Sequence, residues 1–446
     1  MAAFALALAF AGSACGGGDD GAQPDAGPGI DAATADAGTD AAAADAATDA
    51  SPDASVVTRG FFMATAGIQA SVEGRFFDHH VELSTIASDS DVIEIHEEFL
   101  GIPWDEFEAG DQPPAVWVEA IDALADAAKA TGKPVFLNVL PGRDFLSKRA
   151  AVVDGQLVVE ENWSARCFDF AAAADGPAKK AAYLRYVEFM VERFEPRWMN
   201  VAIEINLFHL SCPEAWDGMV DVQRSAYDAV KAARPETIVF PSFALGPLYG
   251  FDCPEDMRAQ CYDANYAAIA GLKRDRFAVS TYPYLQEFGV ATVPDDWFTR
   301  AADRAGETVI ISETGWNSAP AVARLDTECL QGVTGSVADQ IAYLDRLVAE
   351  GEKANVEMFV WWSNSDLLPA FVMDDCPCDV DADWCAAVDV FRSSGGSDPA
   401  AQFSSELLLK IWGTMGLRDH AGDPKSAIYE RWDDVRGSLL PPSAQP

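Results

Sequence analysis

Two glutamates stand where strand-like segments run into turns. One lies in Val201-Ala202-Ile203-Glu204-Ile205-Asn206-Leu207, the other in Val309-Ile310-Ile311-Ser312-Glu313-Thr314-Gly315-Trp316. Because strand side chains alternate, Ala202, Glu204 and Asn206 are expected on one face and Val201, Ile203 and Ile205 on the other. Glu313 follows an aliphatic run and precedes a glycine-containing turn, which places it at the mouth of whatever the strands enclose. A carboxylate in such a setting is costly to bury unless it is paired, hydrogen-bonded or protonated. Two of them facing each other are what glycosidic bond cleavage needs. One protonates the leaving oxygen, the other attacks the anomeric carbon, and a separation of about 5 to 5.5 Å goes with retention of configuration. Structural alternatives stand beside this reading: Glu313 gripping an arginine such as Arg143, and Glu204 as a buried structural acid.

Elements able to hold such a pair are legible after residue 56, where apolar runs of strand length alternate with amphipathic stretches of helix length. Strands are expected at 60–66, 91–99, 134–140, 199–207, 237–244, 277–284, 308–313 and 356–363. Helices are expected at 77–86, 115–130, 179–194, 216–233, 256–272, 295–305, 337–353 and 404–415. Eight βα units close a (β/α)8 TIM barrel, in which strands four and seven lie across the lumen and chemistry sits at the C-terminal strand ends. A doubly wound open sheet fits the same alternation, but no GxGxxG turn follows the first strand.

The rest of the chain is bounded by composition. With 71 Asp and Glu against 31 Lys and Arg, the net charge of -40 repels phosphate, which excludes a general nucleic-acid binder. The 49% hydrophobic content, with 12 Trp and 25 Phe, supplies a sizeable core. Residues 1–14 have the shape of a signal peptide, ending in Gly12-Ser13-Ala14 before Cys15. Residues 15–56, rich in Ala and Asp and almost without large apolar side chains, read as a disordered acidic tether. The barrel domain then spans 57–436 as a single domain, with a Cys- and Asp-rich insertion around 373–398 and a disordered tail at 437–446. Eight cysteines remain after Cys15, and an even number in an exported chain reads as disulfides, with Cys253 and Cys261 the best local pair. Cys376, Cys378 and Cys385 as zinc ligands, and the Asp379, Asp381, Asp383 run as a calcium loop, are weaker alternatives to a solvated acidic loop.

Ile311-Ser312-Glu313-Thr314-Gly315-Trp316 resembles the seventh-strand signature of the clan A retaining glycoside hydrolases, which are (β/α)8 barrels. The resemblance extends over roughly residues 59–435. It includes Ser280-Thr281-Tyr282-Pro283-Tyr284 on the sixth strand, Phe359-Val360-Trp361-Trp362 on the eighth, and the closing Gly422-Asp423-Pro424-Lys425-Ser426-Ala427. It implies Glu313 as nucleophile, Tyr282 as its hydrogen-bond partner, and a Trp of the eighth strand as the floor of the sugar site. The chain departs from the clan at the fourth strand, where Asn usually precedes the acid/base Glu. Here either Glu204 is the acid/base with Asn206 reaching the sugar, or Asn206 takes the place of the clan Asn and Leu207 that of the acid. Gly12-Ser13-Ala14-Cys15 similarly resembles a lipoprotein lipobox, which implies lipidation of Cys15.

The remaining site candidates are Asn138, His96 and Trp316 as substrate contacts, with Glu97 and Glu98 beside His96. Trp361 and Trp362 must point to opposite faces, so at most one of them stacks on sugar. No GxSxG elbow, Walker loop or complete HExxH is present. The expectation is an exported, monomeric retaining glycosidase of the bacterial envelope, lipid-anchored or extracellular. It would act on a β-linked polysaccharide or oligosaccharide with no metal or cofactor, and meet the membrane only through its anchor. The alternative is an inactive carbohydrate-binding surface lipoprotein on the same barrel.

Overall fold

The computed structural model describes residues 59–66, 79–96, 101–139, 148–153, 156–165, 167–286, 288–325, 328–353, 355–367 and 399–438. Cys15, the tether, Glu97, Glu98, Arg143, the 373–398 insertion and most of the C-terminal tail lie outside the described residues. Eight parallel strands form one sheet: β1 (Phe62–Thr65), β2 (Ile93–His96), β3 (Val135–Asn138), β4 (Trp198–Ala202), β5 (Ile238–Ala244), β6 (Phe277–Thr281), β7 (Val309–Thr314) and β8 (Val356–Trp361). Their order is β1-β8-β7-β6-β5-β4-β3-β2, the sequential winding of a (β/α)8 barrel. Helices cover the outside, so most strand residues are buried on both faces, which is why the strands read as nearly continuous apolar runs.

The seam between β1 and β2 is closed by Asp91, with Ser90 Oγ beside it accepting the Thr65 N–H at 3.0 Å. The Asp91 N–H donates to the Met63 carbonyl at 2.7 Å, and the Asp91 carboxylate accepts the Met63 N–H at 2.8 Å. Arg59, only 4% exposed, grips the same carboxylate through two nitrogens at 2.6 and 2.8 Å. Inside the ring, aromatic side chains from non-adjacent strands meet and fill the lumen. Phe62 of β1 lies 5.2 Å from Trp198 of β4, and Phe136 of β3 lies 5.7 Å from Phe240 of β5, between ring centroids.

Three helices fall where the periodicity places them, at Ala115–Ala130, Trp216–Ala233 and Val337–Lys353. The fourth strand does not. It ends at Ala202, Glu204 takes a left-handed backbone (φ 49°, ψ 38°), and Ile205–Ser211 is a helix. Polar side chains cause the break by taking over backbone partners. Asn200 Oδ1 accepts the Ala202 N–H at 3.2 Å, while Asn206 both accepts the Ala244 N–H at 2.8 Å and donates to the Ala244 carbonyl at 3.0 Å. The sixth strand likewise stops at Thr281, three residues early, and a 3₁₀ turn follows at Pro283–Gln286.

Two antiparallel hairpins escaped the sequence pattern: Lys148–Val153 with Gln156–Asn162 after β3, and Ala321–Leu325 with Glu328–Val333 after β7. Cys253 pairs with Cys261, as their spacing suggests, and Cys167 pairs with Cys212. Such bonds persist in oxidising, extracytoplasmic compartments. No described helix is long and apolar enough to cross a membrane.

Because Asp91 is the sole ion-pair partner of buried Arg59 among the described residues, Asp91→Ala should strand a charge and unzip the seam. Urea denaturation should show a loss of about 3–5 kcal/mol. A loss below about 1 kcal/mol would mean the seam is held elsewhere.

Candidate active site

The end of β7 and the turn after β4 bring the two acids close enough for the charge of Glu204 to act on Glu313. Glu313 is the fifth residue of β7, and the pairing with β6 shifts by one residue just before it, Val279 opposing Ile311 and Ser280 opposing Glu313, so Glu313 shares the face of Ser280 and Thr314 that of Thr281. Thr314 turns outward, its hydroxyl bonding Tyr343 of the surrounding helix at 2.7 Å, so Glu313 turns in. The Tyr282 hydroxyl donates to Glu313 Oε2 at 3.2 Å. Burial and the charge of Glu204 push the Glu313 carboxyl up to about 8; Glu94 adds to the rise, while His96 and the Tyr282 hydrogen bond oppose it. Glu204 and Glu313 both bear on Tyr282, whose hydroxyl is pushed well above its ordinary range chiefly by burial. Among the described residues no Lys or Arg pairs with Glu313. Arg143, the arginine considered above, lies outside them.

Glu204 owes its position to the early end of β4. Its left-handed backbone is a conformation that non-glycine residues seldom take, and such strain persists only where neighbours fix it. Here the Glu204 N–H donates to Ser242 Oγ at 3.0 Å. The same hydroxyl accepts Asn200 Nδ2 at 3.1 Å, and Asn200 also donates to Asn138 Oδ1 at 3.0 Å. Asn138 in turn donates to Glu94 of β2. A polar ladder thus runs across four neighbouring strands beneath the acid pair.

The other candidates divide. His96 is buried on β2, its Nδ1 3.7 Å from Glu94 Oε1 and its ring edge-on to Trp362 at 5.6 Å. Trp362 therefore faces the lumen. Trp361 points the other way: its indole donates to the Met415 carbonyl at 2.7 Å and packs near Tyr343 and Trp432 under the helices. Trp316 is fully buried against Tyr284 and Tyr343, and so stands behind the site as core. Asn206 is not one pleat beyond Glu204 on a strand; it sits on the short helix with its amide clasping Ala244. Asn138 belongs to the ladder. Gly315 is required by close approach, since a Cβ there would lie 2.7 Å from the Trp362 carbonyl.

The sequence reading missed Glu94, Asn200 and Ser242. Alternation in Ile93-Glu94-Ile95-His96 would have placed Glu94 on the face of His96, and Asn200 lies on the lumen-facing pleat of β4 with Trp198 and Ala202.

The site defines a barrel with paired acids at its C-terminal mouth. Solved structures of the same fold include an exo-β-1,4-mannosidase from Opitutaceae bacterium strain TAV5. It matches with a TM-score of 0.53 and 14% identity over 87% of this chain and 62% of that one, so this chain spans less than two thirds of its length. GH5_18 from Streptomyces cattleya, in complex with GlcNAc, matches with a TM-score of 0.52 and 17% identity over 86% of this chain and 83% of that one. A GH5_18 variant from Bifidobacterium longum, in complex with Manβ1-4GlcNAc, gives 0.51 and 14%, with 87% and 80% covered. No protein-family model and no curated protein matches the sequence. At these identities the likeness establishes the (β/α)8 fold.

The raised Glu313 has a consequence for stability. A carboxyl that keeps its proton in the folded state up to about pH 8, but titrates near 4.5 unfolded, contributes stability that is complete below the unfolded value. That contribution is lost as pH rises through the folded one. Glu313→Gln should therefore stabilise the protein by on the order of 1–2 kcal/mol at pH 8, with the gain shrinking toward pH 4. Thermal melts across that range check both the sign and the trend.

Proposed function

We propose that the protein is a retaining β-glycoside hydrolase that acts by double displacement on a β-linked oligosaccharide or polysaccharide. The observation that carries the proposal is the buried pair itself: Glu313, bonded to Tyr282 and driven to hold a proton by burial first and by the nearby charge of Glu204 second. A pair of acids that retains one proton near neutral pH is the starting state of the reaction. In the first step the one proton of the pair passes from Glu313 to Glu204, so that Glu313, as carboxylate, attacks the anomeric carbon while Glu204 gives that proton to the leaving oxygen. In the second, Glu204 takes a proton from water, which releases the sugar from Glu313. The Tyr282 hydroxyl favours the ionised form of Glu313 by donating to it, and it fixes the attacking oxygen. Trp362, beside His96, offers the aromatic floor. The residues named need neither metal nor cofactor for this chemistry. The proposal also keeps the protein outside the cytoplasm, tethered through Cys15 and the acidic segment, as a monomer working on carbohydrate.

Aryl β-glycosides and insoluble glucans, galactans and mannans test the reading. Glu313→Gln should abolish turnover. Glu204→Ala should lower kcat by about 10²–10⁴-fold, with azide restoring cleavage of an activated aryl glycoside. For the wild type, kcat/KM should fall on the alkaline side near pH 8, where the pair loses its proton. Sugar binding by the wild type without turnover on any of these substrates would favour the inactive binding protein instead.

A further inference from the structure

Glu94 is a third carboxylate in this lumen, and the two-acid reaction does not use it. It is 3% exposed on β2, has no Lys or Arg partner among the described residues, and leaves Oε2 without a hydrogen-bond partner there. A buried charge in such a place is costly, and a neutral residue of the same size would avoid the cost. What it touches suggests why an acid is kept. Its Oε1 accepts Asn138 Nδ2 and lies 3.7 Å from His96 Nδ1. Asn138 passes the order to Asn200, Asn200 to Ser242, and Ser242 Oγ receives the Glu204 N–H. Each amide in this chain has only one sensible orientation once the far end is an obligate acceptor. A carboxylate at position 94 forces Asn138 to present its nitrogen to β2 and its oxygen to β4, which in turn fixes Asn200. Asn200 then offers Oδ1 to the N–H groups of Ala202 and Ser242, at 3.2 and 3.1 Å. Those are the bonds that end β4 and leave Glu204 in its left-handed conformation.

We propose that Glu94 is a positioning residue for the acid pair: it sets the polarity of a four-strand side-chain ladder that holds the Glu204 backbone, and it presents a second negative charge to Glu313. The proposal deepens the hydrolase reading and rests on it for the roles of the two acids. The groups that face Glu313 are Glu204 from the end of β4, Glu94 and His96 from β2, and Tyr282 after β6, so removing the Glu94 charge leaves one carboxylate and one potential cation against it. Burial supplies the largest part of the Glu313 rise and Glu204 the next, so the part from Glu94 is smaller than either.

The test uses the full chain and a readout that does not need turnover. Carbon-13 carboxyl NMR of glutamate-labelled protein, with Glu313→Gln to assign the signal, gives the midpoint of Glu313 directly. Glu94→Gln keeps an acceptor for Asn138 and removes the charge; the Glu313 midpoint should fall by about half a unit to one unit. Asn138→Leu leaves the charge and cuts the ladder; amide exchange in the peptide containing Glu204 should quicken by about tenfold, the equivalent of one hydrogen bond, with the Glu313 midpoint little changed. An unmoved midpoint in folded Glu94→Gln overturns the proposal, and so does unchanged exchange at Glu204 in Asn138→Leu. Should Glu94→Gln fail to fold, Glu94→Ala with added formate measures the same midpoint with the charge restored or withheld. If the wild type cleaves no glycoside, these measurements still decide the proposal, so its failure and that of the hydrolase reading can be told apart.

Discussion

Two buried carboxyl groups held close together cannot both ionise cheaply, and the rest of this structure can be understood as what makes that arrangement tolerable. Neither Lys nor Arg neutralises Glu313 among the described residues, so its proton stays on and its remaining needs are met by a tyrosine hydroxyl. The burial that raises its carboxyl comes from the ring of strands and the aromatic side chains inside it. Opening the ring would admit water and abolish the shift. The Arg59–Asp91 pair at the β1–β2 seam, remote in sequence from both glutamates, is therefore part of what gives the site its electrostatics.

The acids are supported unequally. Glu313 rests on β7 just past a register shift against β6; its outward neighbour Thr314 is pinned to a helix, and the glycine that follows admits the Trp362 carbonyl. Glu204 rests on an interruption. Its backbone conformation is strained, and it is held by side chains of neighbouring strands instead of by a ladder of main-chain bonds. Such strain persists only where the surroundings fix it, and here its supports can be named atom by atom.

The disulfide Cys167–Cys212 adds a covalent support to the same region. Cys212 directly follows the short helix that begins after Glu204, and Cys167 lies between the first hairpin and the next barrel helix. The segment bearing Glu204 is thus fixed at its start by Ser242, within the helix by the Asn206 clasp on Ala244, and at its end by a covalent bond.

The sequence by itself determined a great deal. Alternation of apolar runs and amphipathic stretches gave eight strands and the barrel, because periodicity is local and each buried parallel strand must be apolar on both faces. The placement of Glu313 at the mouth of the lumen was legible from its position after Val309-Ile310-Ile311-Ser312 and before a glycine turn. The Trp361-Trp362 pair was legible as one inward and one outward ring, though not which was which. Only the tertiary structure decided that β4 stops at Ala202, since the groups that end it, Ser242 and the Ala244 backbone, come from another strand some forty residues away. For the same reason Asn206 went from an expected lumen residue to a clasp, Trp316 into the core, and Glu94 from unnoticed to the anchor of a ladder. A side chain's partners across a closed ring are set by strand register, and register is a property of the assembled barrel that no local pattern carries.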